Sequence, residues 1–353
     1  MTQTRPLRWL AVLAAAALLG GCSVPKTAEQ PVSAPVAQAE EAVKTSATGF
    51  YFDTVVTFGF YGADATLSDD LLAACDRYER LLSKTVQGSD VWNINHANGE
   101  KVTVDPETYA ILRRAKEISD ATNGAFAVTI APLSALWDFT GGTQRMPTEE
   151  ERLAALPLVD DDKLELLDNN AVRLAPGMMI DLGGIAKGYI ADKLSQVAAP
   201  RCLGATLNFG GNVYTVGSKP GGADFRLGIT DPQHPKEGIL GVVTGKNITV
   251  VTSGTYERFF VKDGITYHHI LNPETGLPST AGLISATIIG QSSMDADAFA
   301  TACIVVGREK ALDMLNRLKM DAVLVEADGG IYLTDQLSEH YQIDFTDAAS
   351  VRK

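Results

Sequence analysis

Cysteine is scarce in this chain, with four in 353 residues. They stand at Cys22, Cys75, Cys202 and Cys303 and never as Cys-x-x-Cys, so neither a zinc finger nor a dithiol redox centre is indicated. Basic charge is short too: 30 Lys and Arg face 43 Asp and Glu, a formal net charge of −13. Such a surface repels nucleic acid phosphates, which excludes a nucleic acid partner, and it gains nothing from anionic lipid. An anionic ligand would need a local positive site or a metal. No Gly-x-Gly-x-x-Gly follows the first strand-like segment, so a Rossmann site is not indicated. From residue 48 onward there are no repeats and no low-complexity runs.

The leading residues, by contrast, are apolar. Arg5 and Arg8 precede "WLAVLAAAALLGG", a run too short for a comfortable membrane span. It ends in Leu19-Gly20-Gly21-Cys22, which resembles a bacterial lipobox. That resemblance implies a signal peptide over 1–21 and a lipidated Cys22 as mature N-terminus; the plainer alternative is an uncleaved anchor. Either places the folded part outside the cytoplasm, tethered to a bacterial membrane. Residues 22–47 are rich in Ala, Pro, Gln and Glu and lack aromatics, and read as a flexible tether. One folded domain is expected over 48–345. Disulfides are permitted in that compartment, but three remaining cysteines leave at least one free. Cys75 lies on the apolar stripe Leu71, Cys75, Tyr78, Leu82 and reads as a buried thiol; whether Cys202 and Cys303 pair stays open.

The segment "YFDTVVTFGFYG" (51–62) is β-branched and aromatic and reads as a strand. The spacing predicts a helix over 68–84 with Ser68 as cap, and another from Asp105-Pro106 to Asn123-Gly124. "MMIDLGG" (178–184) reads as a strand entering a Gly-rich turn before a helix over 185–199. Strand-like segments follow at 205–217, 241–254, 283–290 and 322–334. Strands and helices mix without regular βαβ alternation, which predicts an α+β fold with flanking helices around a mixed, largely antiparallel sheet.

Four clusters could carry chemistry. In "DLGGIAKGYIAD" (181–192), Gly183 and Gly184 permit close backbone approach and the helix start offers free N–H groups. Lys187 adds a point charge suited to phosphate, and Asp181 an acceptor. A plain strand–turn–helix explains that stretch almost as well. In "SSMDADAFATA" (292–302), Asp297 and Thr301 lie at i, i+4 on one helix face. Their oxygens suit a hard cation such as Mg²⁺; an acidic first turn favouring the helix dipole is an equal reading. His268 and His269 end a strand in "YHHILNPETGLP", where only one can face a given site; a histidine there is either a general base or a satisfied structural side chain. In "LNFGGN" (207–212), Gly-Gly interrupts a strand, consistent with close approach of a ligand or another backbone.

Together "DLGGIAKGYIAD", "NFGGN", "TSGTYERFF", "HHILNPETGLP" and "DADAFAT" resemble, in order and spacing, the ApbE family of FAD:protein FMN transferases. The likeness covers roughly 50–340. It implies that Asp181 and Lys187 contact FAD, that the Gly184 main-chain oxygen and the Asp297 and Thr301 side chains ligate Mg²⁺, and that His269 is the catalytic base. It also implies that Phe52, Thr85, Ala125, Phe126, Ala127 and Leu271 line the flavin or adenine. Two positions depart from the family pattern: Ala127 stands where an Asp is frequent, and Ala300 where some members carry an acid. The implied activity is Mg²⁺-dependent transfer of FMN to a Thr or Ser hydroxyl of an acceptor protein, releasing AMP. Acceptors would be flavoprotein subunits of extracytoplasmic redox complexes. Two alternatives remain, an FAD diphosphatase and a non-catalytic lipid-anchored flavin-binding protein.

Overall fold

The segment expected as one strand over 51–62 is a hairpin. β1 (Lys44–Tyr51) and β2 (Thr54–Tyr61) pair from Lys44↔Tyr61 to Tyr51↔Thr54. The structure, a computed structural model, describes residues 44–139, 143–346 and 349–352. The leader, Cys22 and most of the expected tether lie outside the described residues. Residues 44–47, read as the end of that tether, belong to β1. Lys44, Thr45 and Ser46 face solvent and Ala47 is half-buried against the core, so little apolar signal marks them; the ladder to β2 orders them.

Next come α1 (Leu67–Leu82), α2 (Asp90–His96), β3 (Val102–Thr103) and α3 (Pro106–Ala121). Thr66, not Ser68, holds the N-cap place of α1, and it makes no side-chain cap bond. α3 begins as predicted, with the Asp105 carboxylate accepting from the Glu107 N–H at 2.8 Å. It stops at Asn123 and Gly124, both left-handed at φ 51° and 77°. The short α4 (Ala131–Ser134) and α5 (Glu149–Ala155) lead to β4 (Glu165–Leu167) and β5 (Ala171–Arg173), which join β3 in a small sheet. Then follow α6 (Ala186–Ala198), β6 (Gly204–Phe209), β7 (Asn212–Gly217), β8 (Phe225–Thr230), β9 (Ile239–Gly245) and β10 (Thr249–Gly254). A second hairpin, β11 (Phe259–Lys262) and β12 (Ile265–His268), precedes β13 (Leu283–Gly290), α7 (Ser293–Val306) and α8 (Arg308–Leu318). The chain closes with β14 (Asp321–Glu326), β15 (Gly330–Leu333), α9 (Leu337–His340), β16 (Ile343–Phe345) and β17 (Ser350–Arg352). The fold thus runs seven residues past the expected end at 345.

Nine strands form the main sheet in the order β1-β2-β6-β7-β10-β13-β14-β15-β17, antiparallel except for the β15–β17 pair. This is the largely antiparallel α+β arrangement predicted. Its inner strands are buried on both faces. Val251, Ile288 and Leu324 enter the core shared with the helices, while their neighbours Val250, Ile289 and Val323 enter a second core beneath β8 and β9. Double burial explains why 283–290 and 322–326 read as continuous apolar runs instead of alternating ones.

Two expected strands resolve differently. The 205–217 segment is a hairpin whose turn, Gly210-Gly211, has φ of 65° and 107°. A Cβ on Gly210 would lie 2.1 Å from Thr54 Oγ1, so the close approach is to the Thr54 side chain. Residues 178–184 form no strand. Their hydrogen bonds go to unlike partners: Ile180 exchanges bonds with the Asn95 side-chain amide, and the Asp181 N–H donates to Val128 O. Cys75 and Cys303 are buried thiols and Cys202 is also free, so Cys202 and Cys303 do not pair.

Candidate active site

α7 is apolar nearly all round and buried, so its one buried carboxylate must be partnered. Asp297 is 3% exposed. Its Oδ2 accepts from the Gly188 N–H at 3.1 Å and its Oδ1 from Asn212 Nδ2 at 2.9 Å. Lys187 Nζ lies 3.7 Å from Oδ1. One turn on, Thr301 Oγ1 donates to Asp297 O at 3.2 Å and meets Ser253 Oγ at 3.2 Å. The N-terminus of α7 is held by α6: Asp192 accepts from the Ser293 and Met294 N–H groups at 2.7 and 3.0 Å. Burial lifts the Asp192 carboxyl to about 6 despite those bonds. A Cβ on Gly188 would fall 2.1 Å from Ser293 O. Glycine is therefore what lets the first turn of α6 reach Asp297.

The loop before α6 brings the remaining polar groups. Asp181 Oδ2 pairs with Lys84 Nζ at 2.5 Å, and Oδ1 accepts from the Gly183 N–H at 2.9 Å. Enclosure by protein pushes this carboxyl upward, but Lys84, the Gly183 N–H and the Arg258 charge outweigh it and hold it below the usual carboxylate value. Lys187 Nζ donates back to Gly183 O at 3.1 Å. Gly184 lies against Phe126 and Thr301: a Cβ there would come within 3.2 Å of the Phe126 ring and 3.6 Å of Thr301 Oγ1. The donor set at this point is a main-chain oxygen, a hydroxyl and a carboxylate. Asp297 spends one lone pair of each oxygen on a neutral N–H donor and keeps others. Three hard oxygens of that kind fit Mg²⁺, which completes its shell with water and substrate phosphate. Among the described residues no group of three or more His, Cys, Asp or Glu gathers to hold a metal, so a thiolate or imidazole site is absent there.

The adjacent histidines differ in their hydrogen bonds. His268 is 6% exposed, and both ring nitrogens are occupied. Nε2 faces Ser279 O at 2.9 Å, and Nδ1 accepts from the Ile270 N–H at 3.3 Å. It is a satisfied structural side chain. His269 faces the other way. Its Nδ1 lies 3.3 Å from Arg258 O; a carbonyl only accepts, so Nδ1 carries the proton and Nε2 presents a lone pair. No described residue takes that lone pair. Crowding by protein, then the Arg258 charge, lowers the imidazole to about 3, so it is unprotonated at neutral pH. Glu257 joins the same group. Enclosure raises its carboxyl and Asp297 adds to that, while Lys187 and Arg258 pull it down. Water reaches Asp181, Glu257 and His269, yet protein surrounds each of them, as in an open cleft.

The structure thus gathers Asp181, Gly184, Lys187, Phe126, Asp297, Thr301 and His269. Thr85 follows Lys84, and its Oγ1 lies 3.0 Å from Ser83 Oγ. Ala125 and Ala127 flank Phe126 just before Val128, the carbonyl partner of Asp181. Phe52 occupies the β1–β2 turn at φ 57°, a strained value for a bulky side chain, with its N–H on Glu79 Oε1 at 2.9 Å. Leu271 is placed otherwise: it is 5% exposed among Leu133, Trp137 and Phe260, so its side chain supports the hairpin. A surface cavity of about 560 Å³ beside Gly124, Ala127 and Pro273 contains none of the gathered polar residues, which lie in the open cleft instead. Sequence reading missed Lys84, Gly188, Ser253 and Glu257. Gly188, Ser253, Glu257 and also Asn212 lie inside the family-like motifs, but nothing in local spacing sets them apart from their neighbours.

The profile of the ApbE family matches residues 52–324. Over 280 residues the chain is 35% identical to the FAD:protein FMN transferase of Klebsiella pneumoniae (strain 342), spanning 78% of this chain and 86% of that protein. Over 278 residues it is 34% identical to the one from Treponema pallidum (strain Nichols), spanning 74% and 77%. The crystal structure of the ApbE protein from Thermotoga maritima superposes with a TM-score of 0.79 at 33% identity, covering 84% of this chain and 99% of that one. The flavinyl transferase ApbE of Pseudomonas stutzeri gives 0.76 at 26%, covering 84% and 96%. Profile, identity and fold agree over most of the chain's length, and the chain belongs to the ApbE family.

Proposed function

We propose that this protein transfers FMN from FAD to a Thr or Ser hydroxyl of an acceptor protein. The observation that carries this reading is the free Nε2 of His269, which shares Lys187 as a charged neighbour with the Asp297 oxygens. A binding protein has no need of an unpaired base there. Lys187 receives the diphosphate; of the N–H groups at the start of α6, those of Ile185 and Ala186 are taken by Leu182 O and that of Gly188 by Asp297. Gly184, Asp297 and Thr301 would hold Mg²⁺, which supplies charge neutralisation at the phosphoryl oxygens. His269 Nε2 takes the proton of the acceptor hydroxyl. The new bond joins that oxygen to the FMN-side phosphorus, the bond from phosphorus to the bridging oxygen breaks, and AMP leaves. Lys187 faces the charge that develops on the departing phosphate.

The test is to incubate the protein with FAD, Mg²⁺ and candidate extracytoplasmic redox subunits and to weigh the acceptor by mass spectrometry. Addition of one FMN with release of AMP supports transfer. Free FMN with an unmodified acceptor would establish the diphosphatase alternative, and unchanged FAD the binding protein. Asp297→Ala should lose the response to Mg²⁺. The lipobox resemblance separately makes Cys22 a lipid anchor, so Cys22→Ser should move the protein from the membrane to the soluble fraction of the extracytoplasmic compartment; retention on the membrane counts against the lipobox.

A further inference from the structure

The β11–β12 hairpin pairs with no other strand among the described residues. Its base is fixed: Phe260 and Tyr267 pack on Trp137, and Phe260 also on Phe139. Its outer half is not. Val261 is 53% exposed and Ile265 56%, and at the base Phe259 is 46% exposed. The ladder also shows where its backbone points. His269 N–H donates to Arg258 O at 3.0 Å, which makes Arg258–His269 a hydrogen-bonded pair. Bonded and non-bonded pairs alternate in an antiparallel ladder, so with the register Phe259↔His268 to Lys262↔Ile265, the N–H and C=O of Phe259 and Val261 face away from β12. No described residue takes them. An apolar strand with an open edge therefore starts one residue beyond the partner of the base.

We infer that this hairpin docks the acceptor protein, an extended segment of which adds to the open edge of β11 and brings its hydroxyl to His269. The inference rests on the transferase reading, because that reaction requires a protein chain at His269, and the hairpin is the surface continuous with that point. Main-chain bonds to Phe259 and Val261 would give affinity and the apolar side chains specificity, as in other strand additions. A membrane is the weaker occupant. Lys262 and Asp263 at the tip would enter lipid first, and unpaired backbone groups are costly in hydrocarbon.

Two variants test this, both away from the catalytic groups. Val261→Pro removes an outward N–H that β12 does not use, a place where a strand tolerates proline. Ile265→Glu puts a charge on the apolar tip. Both should raise KM for the acceptor at least tenfold while kcat at saturating acceptor and FAD affinity by flavin fluorescence stay near wild type. Wild-type transfer with unchanged KM in both variants would overturn the docking surface alone. Loss of binding to phosphatidylglycerol vesicles with acceptor KM unchanged would assign the hairpin to the membrane and also overturn the docking. Failure of the wild type to modify any acceptor would bring down the transferase reading, and the docking with it.

Discussion

Replacing His269 with alanine removes the ring nitrogen left open toward the cleft. FMN transfer should then fall by about 10²–10⁴-fold, the usual scale for a lost general base, while a fluorescence titration shows FAD affinity little changed. His268→Ala should keep most of the turnover. It leaves Ser279 O and the Ile270 N–H without partners in a buried place, so stability should drop by roughly 1–3 kcal/mol in urea unfolding. A dead His268 variant or a His269 variant that cannot bind FAD would refute the assignment. The pH profile offers a second check. Because protein crowding and Arg258 hold His269 near 3, its basic form prevails at every pH well above that value. The acid limb of kcat/KM, which reports the free enzyme, should lie below the ordinary histidine value near 6.5. A limb at that ordinary value would show that the base titrates freely.

Two helices hold the site together, and their contact turns on one glycine. A Cβ on Gly188 would meet Ser293 O at 2.1 Å and Met294 Cα at 2.7 Å. Both obstacles are backbone and cannot swing aside, so Gly188→Ala must separate α6 from α7. We expect a loss on the order of 3 kcal/mol, at the upper end of overpacking effects, measured by denaturant midpoint. The same shift withdraws the Gly188 N–H from Asp297 and should weaken the stabilisation that Mg²⁺ gives in a thermal melt. A fully stable alanine variant would mean that the helices have room to slide. The loop ahead of α6 illustrates how an element escapes its pattern. The sequence MMIDLGG reads as a strand, yet its bonds go to the Asn95 amide and to Val128. Neither partner is visible from local periodicity.

At the scale of the molecule, the order along the main sheet decides where the domain begins. Lys44 to Ala47 pair with Tyr61 to Phe58 at one edge, so a chain shortened to residue 44 keeps the whole β1–β2 ladder. One shortened to residue 48 loses half of β1 and bares half of β2. A drop of about 1–3 kcal/mol is expected from the lost ladder bonds, read by urea unfolding. Equal midpoints for the two truncations would mean that the edge contributes nothing.

Part of the site's geometry was legible in the residues themselves. That a carboxylate and a hydroxyl four positions apart share a helix face, and that only one of two adjacent histidines at a strand end can face a given point, follows from type and spacing, because helix and strand periodicities are fixed by the backbone. The mixed order of elements similarly announced an antiparallel α+β sheet. Local sequence could not say which groups meet across distance. Only the packing of α6 on α7 aims the Gly188 N–H at Asp297, and only the return of the chain after α1 sets Lys84 on Asp181. His268 and His269 have the same side chain and nearly the same sequence neighbours. What separates their surroundings is which carbonyl each ring found, Ser279 or Arg258, and those carbonyls come into place when the chain folds.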